Sequence, residues 1–142
     1  MPMLTEDVAG QLKEEFANLA NPVRLAVFSQ ALSDPGSEQV KRLVEEVAEL
    51  SDKLSVESYN FVLDTEKVAS LGIARIPAIA VLGETADPGI RFYGMPSGYE
   101  FGSLIDAVLD VSRGESGLSP ETLEALAALD SPVHLQVFST PT

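Results

Sequence analysis

Two side chains stand where chemistry could be done. Asp34 and Ser37 lie three residues apart in Gln30-Ala-Leu-Ser-Asp-Pro-Gly-Ser37, a loop that runs into the start of an amphipathic helix. The free N–H groups and the dipole of a helix N-terminus favour an anion there. A thiolate would be the natural occupant, because a cysteine's pKa falls at such a place. The chain has no cysteine. What remains is an acid and a hydroxyl, which admit two readings. One is an acid–nucleophile pair, but a serine nucleophile needs an activating base, and none stands nearby in sequence. The other is loop and helix capping, for which Asp and Ser are favoured. The single histidine, His134, alternates with Val133 and Leu135 and reads as a strand-surface residue, without the partners that acid–base catalysis requires.

Composition narrows the field further. Without cysteine there is no disulfide and no thiolate metal site, and one histidine does not make a His-based metal site. No Gly-rich phosphate loop is present. Neither metal nor cofactor is implied. Twenty-two acidic residues against nine basic give a net charge of −13, which argues against nucleic acid or an anionic membrane as partner. Apolar residues make up 45% of 142, enough to build the core of one domain. No apolar run approaches the roughly 20 residues of a membrane span. Met1-Pro-Met-Leu-Thr-Glu-Asp7 lacks the basic n-region of a signal peptide, so a cytoplasmic location is the default expectation.

The elements around the loop follow from periodicity. Val8, Leu12, Phe16 and Leu19 make one stripe and predict a helix from Thr5 to Leu19, with Thr5 as N-cap and Asn21-Pro22 as its end. Val23 to Ser29 is apolar on both faces, as a central covered strand is. Ser37 to Lys53 carries Val40, Leu43, Val44, Val47 and Leu50 on one face. Its other face offers Lys41–Glu45, Arg42–Glu46 and Glu49–Lys53 as i,i+4 pairs and reads as solvated surface. Val56 to Leu63 predicts a second strand, Asp64-Thr65 caps a short helix, and Gly72 stops it. A third strand, Arg75 to Leu82, opens with a proline near its start. Asp87-Pro88-Gly89 turns the chain into a fourth, Ile90 to Tyr93. Phe101, Leu104, Ile105, Val108 and Leu109 mark the next helix, closed by Arg113-Gly114, with Tyr93, Tyr99 and Phe101 expected to pack between it and the fourth strand. Ser119-Pro120 caps another helix.

The opening of the chain then recurs. Leu19-Ala-Asn-Pro-Val-Arg-Leu-Ala-Val-Phe-Ser29 matches Leu129-Asp-Ser-Pro-Val-His-Leu-Gln-Val-Phe-Ser139 at an offset of 110, with seven of eleven positions identical. Such a repeat reports a repeated structural unit. Residues 1–114 are therefore expected to be one unit, and residues 115–142 the opening helix and strand of a second. A strand at Val133–Ser139 without a sheet of its own has three fates: pairing with an edge of the first sheet, a homodimer by exchange with a neighbouring copy, or mobility.

Leu43-Val-Glu-Glu-Val-Ala-Glu-Leu-Ser-Asp-Lys-Leu54, Arg75-Ile-Pro-Ala78 and above all Gly89-Ile-Arg-Phe-Tyr-Gly-Met-Pro-Ser-Gly-Tyr-Glu-Phe101 carry a family resemblance. The chain resembles the N-terminal half of the protein disulfide oxidoreductases built from two fused thioredoxin-like units. It is also similar to the N-terminal region of the flavoprotein component of alkyl hydroperoxide reductase. The resemblance implies an α/β thioredoxin-like fold, a four-stranded mixed sheet ordered 2-1-3-4 and flanked by helices. It implies that Pro77 matches a cis-proline facing the redox loop, where the backbone of Ile76 can pair with an extended peptide; the alternative is a proline that only shapes the turn. Asp34, Ser37, Ile76 and Pro77 are then the candidate partner-binding groove. Where the family has C-x-x-C, this unit has Asp34-Pro-Gly-Ser37, or Ser33 and Gly36 in the register set by the internal repeat. Thiol–disulfide exchange needs a thiolate, so this unit does none.

The resemblance thus implies a redox-inactive module, the structural or partner-docking half of a disulfide oxidoreductase-like protein. Its partner would be another protein or a redox-active second unit. The alternative is a truncated oxidoreductase whose C-x-x-C or selenocysteine unit would follow Thr142. A hydrolase-type activity at Asp34–Ser37 is a third, weaker class.

Overall fold

The computed structural model describes residues 1–30, 32 and 34–140. The alternative loop position Ser33 and the last two residues, Pro141 and Thr142, lie outside the described residues. The elements run α1 (Glu6–Phe16), β1 (Val23–Ser29), α2 (Pro35–Ala48), β2 (Leu54–Asn60), α3 (Thr65–Ser70), β3 (Ala78–Gly83), β4 (Ile90–Tyr93), α4 (Tyr99–Arg113) and α5 (Pro120–Ala127).

The sheet order is β2-β1-β3-β4. β1 lies parallel to β2, with Val23 beside Leu54 and Ser29 beside Asn60. It lies antiparallel to β3, with Phe28 beside Ala78. β3 and β4 form an antiparallel hairpin. This is the mixed 2-1-3-4 sheet that the resemblance implies.

Strand periodicity sorts the core into two layers. Val23, Leu25 and Val27 of β1, with Ile79 and Val81 of β3, face the stripes of α1, α2 and α4, including Phe16, Val40, Val44, Leu104 and Val108. Ala26, Phe28, Ala80 and Leu82 face the other way, toward Ile73, Val68 of α3 and Leu71 just after it. Each layer needs apolar residues on its own face, which is why β1 is buried along nearly its whole length.

Several ends differ from the sequence expectation. α2 stops at Ala48, with Glu49 as C-cap, rather than at Lys53. β2 begins at Leu54 and ends at Asn60 because the Asn60 side chain accepts the Val62 and Leu63 N–H groups and turns the chain. β3 begins after Pro77, not at Arg75. Thr5 and Ser119 do cap α1 and α5, accepting the N–H groups of Val8 and Thr122. Gly114 closes α4 in the left-handed conformation, φ 73°, which costs glycine little.

The charged face of α2 is put to a different use from the one its spacing suggests. Of its three i,i+4 pairs, Lys41–Glu45 is seen, at 3.9 Å. Glu46 instead accepts the N–H groups of Met3 and Leu4 at 2.8 and 2.9 Å, and Arg42 donates to the Met1 carbonyl at 2.6 Å. Lys53 donates to the Ala20 carbonyl at 3.0 Å. The N-terminal residues are strapped across this face. A second fastening joins the two ends of the unit. The Asn21 N–H donates to Ser112 Oγ at 3.1 Å, Asn21 Nδ2 to the Ser112 carbonyl at 2.7 Å, and Ser112 Oγ to the Asn21 carbonyl at 2.9 Å.

Residues 117–140 are exposed throughout. α5 forms with no buried residue. Val133–Ser139, expected as a strand, is not one in the structure: it joins no sheet among the described residues. A strand exists only by hydrogen bonding to a neighbour, and here none is supplied.

Candidate functional site

Asp34 is the N-cap of α2, in an extended conformation. Its carboxylate accepts the Gly36 N–H at 3.0 Å and the Ser37 hydroxyl at 2.8 Å. Its carbonyl accepts the Ser37 N–H at 3.1 Å. Pro35 occupies the first turn, where a missing N–H costs nothing. Ser37 is 1% exposed. A buried hydroxyl that donates to the adjacent carboxylate is not presented to a substrate. The pair is a cap whose two polar groups satisfy each other, and the acid–nucleophile reading has no geometry to support it. For the same reason Ser37 does not line a groove. It supports the loop from within, while Asp34, Ile76 and Pro77 stay half-buried.

Register places the other two candidates. Ala78 lies beside Phe28, so Pro77 sits at the carboxyl end of β1, from which the Asp34 loop departs. The Ile76–Pro77 peptide bond is cis. The Pro77 carbonyl accepts the Gly94 N–H at 2.9 Å, and the Ile76 side chain packs on the α3-side core. The fold therefore brings Asp34, Ser37, Ile76 and Pro77 to one end of the sheet.

The same end collects exposed apolar residues that sequence periodicity did not single out. Leu32 is 99% exposed, Leu63 77% and Val62 54%. They follow β1 and β2, whose final residues Ser29 and Asn60 are neighbours. Tyr99, expected to pack between β4 and α4, is instead 83% exposed at the start of α4. Phe101 does pack on the main core. Tyr93 turns to the opposite face, where Arg75 stacks 4.5 Å above its ring and its hydroxyl accepts the Ala74 N–H.

The titrating groups with shifted pKa values lie around this framework. Burial, with the Glu57 carboxylate that accepts its proton at 2.9 Å, pushes the Tyr59 phenol up. Arg91, bonded at 2.5 Å, holds the Asp87 carboxyl below the usual range against the opposing pull of burial. Burial also pulls Glu46 upward, but the Met3 and Leu4 N–H donors with Arg42 and the terminal ammonium overcome it and leave that carboxyl lowered. None of these is in the Asp34 loop. A cleft of about 490 Å³ lies under the N-terminal strap, lined by Leu4, Arg42, Glu46 and Leu50, away from the sheet end. Among the described residues no group of three His, Asp or Glu side chains is arranged to hold a metal ion, and no helix is long and apolar enough to cross a membrane.

No family model matches the chain. Solved structures give the fold. A thioredoxin from Fasciola hepatica superposes with a TM-score of 0.51 at 14% identity, over 69% of this chain and 91% of that one. Closer matches come from one enzyme, the alkyl hydroperoxide reductase AhpF. The AhpF of Escherichia coli (strain K12) is 31% identical over 137 residues, 96% of this chain and 24% of the relative. That of Staphylococcus epidermidis (strain ATCC 12228 / FDA PCI 1200) is 30% identical over the same span. The N-terminal domain of the AhpF from Enterococcus faecalis (V583) superposes with a TM-score of 0.80 at 31% identity, over 89% of this chain and 61% of that one. This chain is homologous to the N-terminal thioredoxin-like region of AhpF. A protein disulfide oxidoreductase from Aeropyrum pernix K1 matches similarly, with a TM-score of 0.79 and 29% identity, over 91% of this chain and 56% of that one. The chain spans about a quarter of the length of the curated reductase relatives it matches.

Proposed function

We propose that this chain is a redox-inactive thioredoxin-like module that docks or positions a protein partner for a separate redox-active unit. The observation that carries the reading is the Asp34–Ser37 cap. At the place where the fold would hold a thiolate, the chain has a carboxylate and a hydroxyl bonded to each other, and it has no sulfur nucleophile anywhere. What the same sheet end does offer is contact area. Leu32, Val62, Leu63 and Tyr99 are exposed around half-buried Asp34, Ile76 and Pro77. An exposed apolar patch of this kind suits a protein partner.

The test has two arms. Thiol-dependent insulin reduction by this chain alone is expected to give no turnover, and turnover would overturn the reading. Titration with a C-x-x-C-bearing thioredoxin-like unit is expected to give binding that Leu63→Asp with Tyr99→Ser weakens at least tenfold. Binding unmoved by that pair removes the docking role while leaving the redox inactivity intact.

The internal repeat favours a second reading, in which the module belongs to a longer oxidoreductase whose C-x-x-C or selenocysteine unit lies beyond Thr142. It is supported by reductase relatives about four times as long as this chain. The nucleotides downstream of the Thr142 codon test it, and an in-frame stop with no selenocysteine element and no further unit refutes it.

A further inference from the structure

The segment Val133–Ser139 presents four apolar side chains to solvent: Val133 at 60% exposure, Leu135 at 85%, Val137 at 91% and Phe138 at 89%. Their repeat counterparts in β1, at the offset of 110, are Val23, Leu25, Val27 and Phe28, all 0% exposed. The segment thus has the side chains of a covered strand and no cover.

We propose that the cover is a second copy of this chain, with Val133–Ser139 adding as a strand to the free edge of β2, parallel to it and in the register that β1 uses on the other side. This inference does not depend on the docking role above.

Three observations select that edge and that register. The first is the state of the two sheet edges. β4 has four residues, is bracketed by Pro88 and Pro96, and carries Arg91, whose guanidinium is spent on Asp87 and the Leu71 carbonyl. β2 has seven residues and no proline, the same length as the segment. An unblocked edge of that kind is a template for another strand.

The second is side-chain matching. β1 sets Val23 beside Leu54, Leu25 beside Val56 and Phe28 beside Tyr59. The same register sets Val133 beside Leu54, Leu135 beside Val56 and Phe138 beside Tyr59. His134 then falls beside Ser55 and Gln136 beside Glu57. Apolar meets apolar and polar meets polar at each of these positions, as cross-strand pairing favours.

The third is the pair of positions at which segment and β1 differ most. Gln136 replaces Ala26 and His134 replaces Arg24. Ala26 is fully buried against Ala80 and Phe28, a place with no room for a glutamine. The segment is therefore unfit to displace β1 from the centre of the sheet, but suits an edge where one face stays wet. Its lone titratable group is His134, so the addition brings no carboxylate against Glu57, which Arg24 already pairs at 3.1 Å.

The chain's net charge of −13 makes two copies repel at long range, so association tightens as salt screens it. The chain has no cysteine, and that allows a clean crosslinking test. In the proposed register Val137 of one copy lies beside Ser58 of the other, on a β2 edge that no strand covers. Ser58→Cys with Val137→Cys in the full 142-residue chain is expected to oxidise to a covalent dimer at least tenfold faster than Val137→Cys alone. Sedimentation equilibrium of the unaltered chain is expected to show a dimer that strengthens with salt. Leu135→Asp with Val137→Asp should return it to monomer while the thermal melt at low protein concentration stays unchanged. Amide exchange at Val133–Ser139 should slow with protein concentration. A monomer at all concentrations overturns the proposal. So does slow exchange at 133–139 in a monomer, which would mean an intramolecular addition, and so does equal crosslinking by the two cysteine variants.

Discussion

Replacing Asp34 by alanine tests whether the Asp34–Ser37 pair is a cap or a reactive site. The alanine removes the acceptor of the Gly36 N–H, and loss of an N-cap costs about 1 kcal/mol. It also strands the Ser37 hydroxyl, which is 1% exposed and donates to that carboxylate at 2.8 Å. An unsatisfied buried hydroxyl costs about 1–3 kcal/mol. Asp34→Ala should therefore cost about 3 kcal/mol, a fall in Tm of roughly 10 °C for a domain of this size. Ser37→Ala alone removes one charge-assisted bond and should cost about 1 kcal/mol. The double variant leaves no stranded group, because removing both partners of a buried hydrogen bond comes close to neutral. It should sit about 1 kcal/mol above Asp34→Ala rather than below it. Urea denaturation of the four proteins at constant m closes the cycle. Additive costs, or a double variant less stable than Asp34→Ala, would refute the reasoning.

Further expectations concern groups elsewhere in the unit. Asp87 is held below the ordinary carboxylate range by Arg91, so its contribution is full above the unfolded pKa and is lost as pH falls through the folded one. Asp87→Asn should flatten the stability–pH curve below about pH 4, and an unchanged acid limb in urea titrations would contradict this. Glu46 is lowered by the Met3 and Leu4 N–H donors against the pull of burial; Glu46→Gln should speed amide exchange at Met3 and Leu4 with little change in global Tm. Leu104→Ala, at a fully buried site on α4, should cost about 3 kcal/mol in urea denaturation. The Tyr59 phenol, raised by burial and Glu57, should ionise later than Tyr99 in an alkaline ultraviolet titration.

The fold was legible because its signals are local and agree with one another. The β1 sequence Val23–Ser29 is apolar on both faces and flanked by Asn21-Pro22, and it lies at the centre of the sheet between β2 and β3. The α2 stripe Val40, Leu43, Val44 and Val47 is its buried face. Boundaries that depend on a single hydrogen bond were not legible. The Asn60 side chain that ends β2 and the bonds of Glu46 to Met3 and Leu4, across more than 40 positions, leave no periodic trace. The candidate site was read half correctly. Asp34 and Ser37 favour caps as residue types, and they form one. Sequence alone could not show that the hydroxyl is buried, which removes Ser37 from any groove. Nor did periodicity place Tyr99, because one residue at the edge of an apolar stripe can face either way. The strand expected at Val133–Ser139 shows the limit of local pattern most clearly, since the same residue types that bury β1 stay exposed where no neighbour strand is present.

The Asn21–Ser112 fastening also fixes how the unit bears load. Ser112 stands two residues before Gly114, where the folded unit gives way to residues 115–140, and Asn21 stands two residues before β1. Tension arriving from the downstream segment is handed at Ser112 to the root of the strand that has a ladder on each flank. Parallel and antiparallel rungs along β1 then resist together, in shear, instead of peeling one after another. α5, with no buried residue, yields first, so the unit acts as an anchored post and the segment beyond it as a slack rope.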